Sequence, residues 1–338
     1  MAGSVRLPVD EAMALALACL GRAGLSAHEA RVIAEYLVEA DLRGYRPLGL
    51  ARLLHLAPRL AREPREPVRI VREGPAFAQI DGGGNPGVLA CDVAITVAIR
   101  KAQDSGQAVV ALSRTYMSGV NGLYVRKAAL RGLVALMFSH AHPRVAPWGG
   151  IDPVLGTNPI AAAFPAGPDP VVVDVGTSAT YNGAVEEAIR AGAELPPGVA
   201  LDAGGRPTRD PRVAAAGALL PAGGVKGYAL GVLVQLLGIL AGGDAVPAAF
   251  GNLGYLFLVM DPSAFLPGEE YARRVREFCA RARGSRPLPG TEGVMLPGER
   301  SERRRQAGLR EGISLEAGVV EAIRRLCADE GGGGNPCA

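Results

Sequence analysis

Four short runs carry residue types that could do chemistry. The run DGGGNPG (81–87) has Gly82, Gly84 and Gly87 at the spacing of a loop that offers backbone N–H groups to a phosphate. Pro86 intrudes with no N–H to give, so a tight turn is the competing reading. Asp174-Val175-Gly176-Thr177-Ser178 ends an apolar run. At the carboxyl end of a strand, an acid could accept from a ribose hydroxyl and a serine could donate to a phosphate; a plain capping turn is the alternative. Gly223-Gly224-Val225-Lys226-Gly227-Tyr228 opens the most apolar stretch of the chain, and Lys226 is one of only three lysines. Helix-start N–H groups beside one ammonium suit a phosphate or carboxylate, against the alternative of a simple helix cap. His140 and His142 directly follow LVALMFS (133–139). Either could carry a proton, or be a satisfied loop residue. No nucleophile elbow and no Walker A motif is present.

The elements that must position these runs can be read coarsely. Residues 8–44 read as two helices, the second opened by a Ser26/Glu29 capping box. A third helical stretch covers 49–62. From Val68 short strands alternate with helices: VRIV, AFAQI, a helix over 88–105, AVVAL, a helix around 120–131, LVALMF, PIAAAF and PVVVDV. That alternation predicts an α/β fold. Pro196-Pro197 and Asp210-Pro211 predict mostly loop over 185–224. A buried helix (226–241), the strand GYLFLVMD, a charged helix (263–283), a loop (284–310) and a last helix (315–328) follow. The Gly-rich tail, 329–338, reads as disordered.

Composition narrows the classes. The chain has 338 residues, 49% hydrophobic and 20% charged, which permits a large core and excludes wholesale disorder. A net charge of +3 without a polybasic block argues against nucleic acid. The cysteines, at 19, 91, 279, 327 and 337, have no CxxC spacing, so neither a metal site nor a disulfide framework is expected. The longest apolar run, Tyr228 to Leu240, is shorter than the roughly 18 residues of a membrane span. With no signal peptide visible, a soluble cytoplasmic protein is expected.

Taken in order, APWGGIDPVLGTNPIAAAFP (146–165), VDVGTS (173–178), LLPAGGVKGYALGVLVQLL (219–237), FLVMDPSAF (257–265) and LPGE (296–299) resemble the malate/L-lactate dehydrogenase family of the non-Rossmann type. That family includes sulfolactate and ureidoglycolate dehydrogenases and Δ1-piperideine-2-carboxylate reductases. The resemblance implies a helical N-terminal segment (1–66), joined by the C-terminal helices of 263–328, beside a large mixed-sheet NAD(P)-binding α/β domain (67–262). It implies a homodimer that binds NADPH or NADH without a G-x-G-x-x-G loop. It places cofactor contacts at Gly119, Gly122, Ser139, Asp174, Gly176, Ser178, Lys226 and the turn Pro297-Gly298-Glu299.

The departures from the family pattern concern protons. In the family stretch D-x-R-G-x-x-S-H-G, here Asp41 to Gly49, the histidine position holds Leu48. In S-x-H-x-G, here Thr115 to Gly119, it holds Met117. The Gly-Lys pair of the family is Gly183-Ala184, and its Asn after the 133–138 strand is His140. Leu and Met cannot quench the charge that hydride transfer places on a ketone oxygen. A cyclic iminium arrives already protonated and needs only hydride. The expected activity is therefore an oxidoreductase reducing a small carboxylate-bearing cyclic imine or 2-oxo acid. Arg43 or Arg52 would hold the carboxylate, and Tyr116 or His140 would supply a proton where one is needed. The alternative is a scaffold redirected to a non-redox reaction or to binding without turnover.

Overall fold

The computed structural model describes residues 3–248, 251–267 and 269–328. The tail expected to be disordered, 329–338, lies outside the described residues. The chain divides into a helical unit, Met1–Pro64 with Ser301–Ala338, and a sheet unit, Arg65–Arg300. The helix at 270–283 thus belongs to the sheet unit, whereas the sequence reading grouped all of 263–328 with the N-terminal helices.

In chain order, β1 (Ser4–Leu7), α1 (Val9–Arg22), α2 (Ala27–Leu42) and α3 (Leu53–Arg62) come first, with two 3-10 turns, Arg46–Leu48 and Leu50–Arg52, before α3. Next are β2 (Arg69–Gly74), β3 (Phe77–Asp81), α4 (Gly87–Ser105), β4 (Gln107–Thr115), α5 (Gly122–Ala129), β5 (Val134–Ser139), β6 (Ile160–Phe164) and β7 (Val171–Val175). Then follow α6 (Asn182–Ala191), β8 (Ala200–Leu201), β9 (Pro207–Thr208), α7 (Pro211–Ala216), β10 (Ala218–Leu219), α8 (Val225–Leu240), β11 (Leu253–Met260) and α9 (Glu270–Arg283). The last elements are α10 (Glu299–Glu311), β12 (Ile313–Glu316) and α11 (Ala317–Ala328).

In the helical unit, Ser26 caps α2 through the full capping box: its Oγ accepts from the Glu29 N–H, and the Glu29 side chain accepts from the Ser26 N–H at 2.9 Å. Ile33, Leu37 and Ala40 recur at helical spacing and are fully enclosed. β1 pairs antiparallel with β12, and α1 packs on α11. This short pair, its partners at opposite ends of the chain, was not foreseen. The stretch 284–310 was expected as loop, but its second part lies in α10, Glu299–Glu311. That helix has no apolar stripe to read. Instead it is held by charge: Arg305 binds Glu39 at 2.8 Å and Glu302 pairs with Arg43 at 2.9 Å.

The sheet unit carries a seven-stranded sheet in the order β2-β3-β4-β11-β5-β6-β7. β3 and β4 are parallel; β4–β11, β11–β5, β5–β6 and β6–β7 are antiparallel. Counting directions across the ladder, β3, β4, β5 and β7 all run the same way. Their carboxyl ends therefore share one edge, together with the start of β6. Ile80, Val110, Leu112, Met137, Tyr255 and Phe257 fill the core around the central strands.

The stretch 185–224, read as mostly loop, contains the rest of α6, α7 and a three-stranded sheet, β10-β8-β9. Val145, Leu155, Val185, Leu195, Val199 and Leu219 give it a small core of its own. Pro211 misled because it does not break a helix here. It occupies the first turn of α7, where its missing N–H is not needed, and Asp210 caps that turn by accepting from Arg212 N–H at 2.8 Å.

Candidate functional site

The shared sheet edge collects most of the expected site residues. Ser139 ends β5, Asp174 and Gly176 lie at the end of β7, and Gly119 and Gly122 follow β4 at the start of α5. Crevices at the carboxyl ends of strands are where α/β sheets bind ligands. Each loop there is tied to its neighbour. Gly122 N–H donates to Asp174 Oδ2 at 2.8 Å. Burial pushes the Asp174 carboxyl up to about 6, opposed by backbone N–H donation from Gly122 and Asn121. Ser139 Oγ and Ser118 Oγ are 2.8 Å apart, and Tyr124 OH donates to the Ser118 carbonyl at 2.7 Å.

The two polar runs of the sequence meet here. Thr177 C=O accepts from Ala222 N–H at 2.9 Å, just ahead of α8. A Cβ at Gly227 would lie 2.2 Å from the Ala222 carbonyl oxygen and 2.8 Å from that of Thr177, so only glycine allows this approach. Ser178 Oγ donates to the Thr180 carbonyl at 2.6 Å. Lys226, in the first turn of α8, is exposed and makes no ion pair among the described residues. Trp148 lies against Gly224, one residue before the helix. The turn Pro297-Gly298-Glu299 backs onto β7, with Gly298 at φ +90° beside the Val172 carbonyl. Glu299 accepts from Leu296 N–H at 3.0 Å and pairs with Arg283.

DGGGNPG is a structural turn. The N–H groups of Gly82, Gly84 and Gly87 donate to the carbonyls of Ser113, Arg114 and Tyr116, at 2.8, 2.8 and 2.5 Å. None is left for a phosphate, which settles the glycine spacing in favour of packing.

The expected proton carriers differ in setting. Tyr116 is buried at 6% exposure, directly before Met117. Met117 has φ +54°, one of only three non-glycine residues in the left-handed region among those described. His140 is fully enclosed. Its Nε2 is 2.8 Å from Gln235 Nε2, which also donates to the Ala245 carbonyl. The Gln235 Oε1 in turn accepts from Asn158 Nδ2 at 2.8 Å. The amide orientation is thereby set, so His140 Nε2 accepts and the ring proton is on Nδ1, which has no partner among the described residues. Burial, partly opposed by Asp244, pushes His140 down to about 4. It is a neutral packing group near pH 7, held against Gly238 of α8. His142 is half-buried, near Asn182, and burial and Arg144 lower it.

In the helical unit, Arg43 is enclosed and pairs with Glu39 and Glu302, at 2.8 and 2.9 Å. Its charge is already answered by two carboxylates. Arg52 is half-buried and its Nε has no partner among the described residues. Asp41 Oδ2 accepts from Leu50 N–H at 2.7 Å, which fixes the turn leading to Arg52. Burial pushes the Asp41 carboxyl up to about 7, opposed by Leu50 and Arg46.

The sequence reading missed the Asn158–Gln235–His140 network. Its one signal was Gln235 itself, a lone amide within the apolar run Tyr228 to Leu240. No cluster of metal-ligating side chains occurs among the described residues, and no described helix is long and apolar enough to cross a membrane.

The family model described as malate/L-lactate dehydrogenase matches residues 7–324. L-sulfolactate dehydrogenase of Methanocaldococcus jannaschii is 32% identical over 323 residues, covering 92% of this chain and 93% of that one. The (2R)-3-sulfolactate dehydrogenase (NADP(+)) of Chromohalobacter salexigens is 35% identical over 332 residues, covering 94% and 97%. The crystal structure of Δ1-piperideine-2-carboxylate reductase from Pseudomonas syringae superposes with a TM-score of 0.87 at 30% identity, covering 95% of this chain and 99% of that one.

Proposed function

The chain belongs to the malate/L-lactate dehydrogenase family, and on that premise we propose that it is a NAD(P)H-dependent reductase of a small carboxylate-bearing cyclic imine, with 2-oxo acids as the second substrate class. Relatives whose names carry NADP(+) and NAD(+) support the nicotinamide cofactor. The residues at the sheet edge fit such a group. Gly119 has a left-handed φ of +77°, and Gly122, whose added Cβ would meet Val172 and Asp174 at 3.1 and 3.3 Å, gives backbone where a side chain would intrude. Lys226 offers an unpaired ammonium at a helix start, suited to a phosphate. Ser139, Asp174, Gly176 and Ser178 line the same edge, and the Pro297–Glu299 turn borders β7.

When bound, the cofactor supplies a hydride. The chain's own groups then have two tasks. Arg52, with an unanswered Nε, holds the substrate carboxylate; Arg43 positions α2 against α10. Tyr116 is the remaining proton source, because His140 is neutral and enclosed. The observation that carries the imine reading is Met117, a thioether at the position where the family resemblance puts a histidine. An iminium substrate tolerates that loss, since hydride addition alone completes its reduction. We further propose a homodimer, on family likeness.

The test uses Trp148, the chain's single tryptophan. Titration with NADH and NADPH should quench its emission and give energy transfer to the reduced nicotinamide. Cofactor oxidation should then be followed over panels of cyclic imino acids and 2-oxo acids. Faster turnover of imines supports the proposal; absence of cofactor binding ends it in favour of a non-redox role.

A further inference from the structure

The helical unit holds a pair of thiols that the reductase reading does not use. Cys19, in α1, is 2% exposed, and Cys327, near the end of α11, is half-buried. They lie near opposite ends of the sequence, yet the fold brings them together. α1 and α11 pack on each other, and Arg324 pairs with Glu11 at 2.8 Å one turn away. Cys327 Sγ lies 3.8 Å from the Leu15 carbonyl oxygen. That carbonyl is the helical acceptor of the Cys19 N–H, one turn on. Cys327 is also among the groups that hold the Cys19 thiol up, as a close neighbour would.

We propose that Cys19 and Cys327 form a redox modification site, closing to an intramolecular disulfide by exchange with a low-molecular-weight disulfide such as oxidised glutathione. The Cys327 thiolate, the more accessible, attacks the small disulfide. The reagent's S–S bond breaks, one small thiolate leaves, and a mixed disulfide forms on Cys327. The Cys19 thiolate then attacks Cys327 Sγ and expels the second small thiol. Two protein thiols lose two protons and two electrons, and the oxidant is reduced to two thiols. Burial and the Cys327 neighbour push Cys19 up to about 12, with Arg22 opposing. Burial, the largest cause, still holds once Cys327 is in the mixed disulfide, so the second step is slow at neutral pH and quickens as pH rises.

The full-length protein is incubated with oxidised glutathione at about pH 8.5, blocked with an alkylating agent, and analysed by intact mass and peptide mapping. The expected result is a protein carrying two alkyl groups fewer than the reduced control blocked in the same way, and a Cys19–Cys327 linked peptide. The melting temperature should rise by about 5 °C and return on reduction. Cys19→Ser should lose both the link and the rise, while Cys337→Ser should keep both. A Cys327–Cys337 link, a persistent glutathione adduct on Cys327, or no consumption of thiols overturns the proposal.

Discussion

The Asp174 carboxylate accepts the Gly122 N–H at 2.8 Å, tying the end of β7 to the first turn of α5. One hydrogen bond thus holds together two segments of the proposed cofactor edge. Gly122→Ala pushes a methyl to 3.1 Å from Val172 Cγ1 and 3.3 Å from Asp174 Oδ2. Overpacking of this kind costs about 1–3 kcal/mol. The expected outcome is a lower melting temperature and at least tenfold weaker NADPH binding by Trp148 titration. Unchanged affinity would separate this joint from the cofactor.

Lys226→Gln removes the one unpaired ammonium at the start of α8. Cofactor affinity should fall about tenfold, the scale of one charge-assisted hydrogen bond. The wild-type affinity should weaken with added salt and that of the variant much less. Parallel salt curves for the two proteins would remove Lys226 from phosphate binding.

Met117→His should help both backbone and chemistry. A left-handed φ of +54° is disfavoured for methionine, whereas histidine is among the residues enriched there. A proton donor at this position should raise 2-oxo acid reduction by about a hundredfold, the lower end of the roughly 10²–10⁴-fold range of general acid catalysis. Imine reduction should change little. Equal gains for both substrates would argue against the iminium reading.

His140→Leu tests the packing role. It leaves Gln235 Nε2 short of a buried acceptor, at a cost of about 1–3 kcal/mol. Stability to urea should drop while the pH profile of kcat keeps its shape. A vanished inflection in that profile would restore His140 as a proton carrier.

Asp41 makes stability depend on pH. Its folded pKa of about 7 lies above the usual 3.8, so the folded state holds the proton more tightly than the unfolded chain. The stability this contributes is fully present below about pH 4 and lost as pH rises toward 7. Asp41→Asn keeps an acceptor for Leu50 N–H and cannot ionise. Urea midpoints of the variant should decline less between pH 4 and 7 than those of the wild type; identical slopes would exclude Asp41.

The legible parts of the chain were those where one local rule acts alone. Ser26 and Glu29 announce α2, and alternating apolar runs announce β3 to β7. The site was legible as a set of strand ends, because Asp174 to Ser178 and the start of α8 carry polar atoms where apolar runs stop. Residues 299–311 were not legible, since α10 is held by Glu39 and Arg43 from far away in sequence. Nor was the setting of His140. Nothing next to it in the chain says that Gln235 and Gly238 will enclose its ring. Sequence also spread the carboxylate role over Arg43 and Arg52; only the distances to Glu39 and Glu302 show which guanidinium is spent.

β1 finds its partner in β12, and α1 in α11, so the helical unit is assembled from segments on either side of the sheet unit. On the ribosome, Arg65–Arg300 can complete its sheet while the first helices still wait for their counterparts. The helical unit closes only after α11 has emerged. Stalled or truncated products lacking α10 to α11 would carry a finished sheet and exposed apolar faces on α1 and α2, a composition that chaperones and proteases recognise.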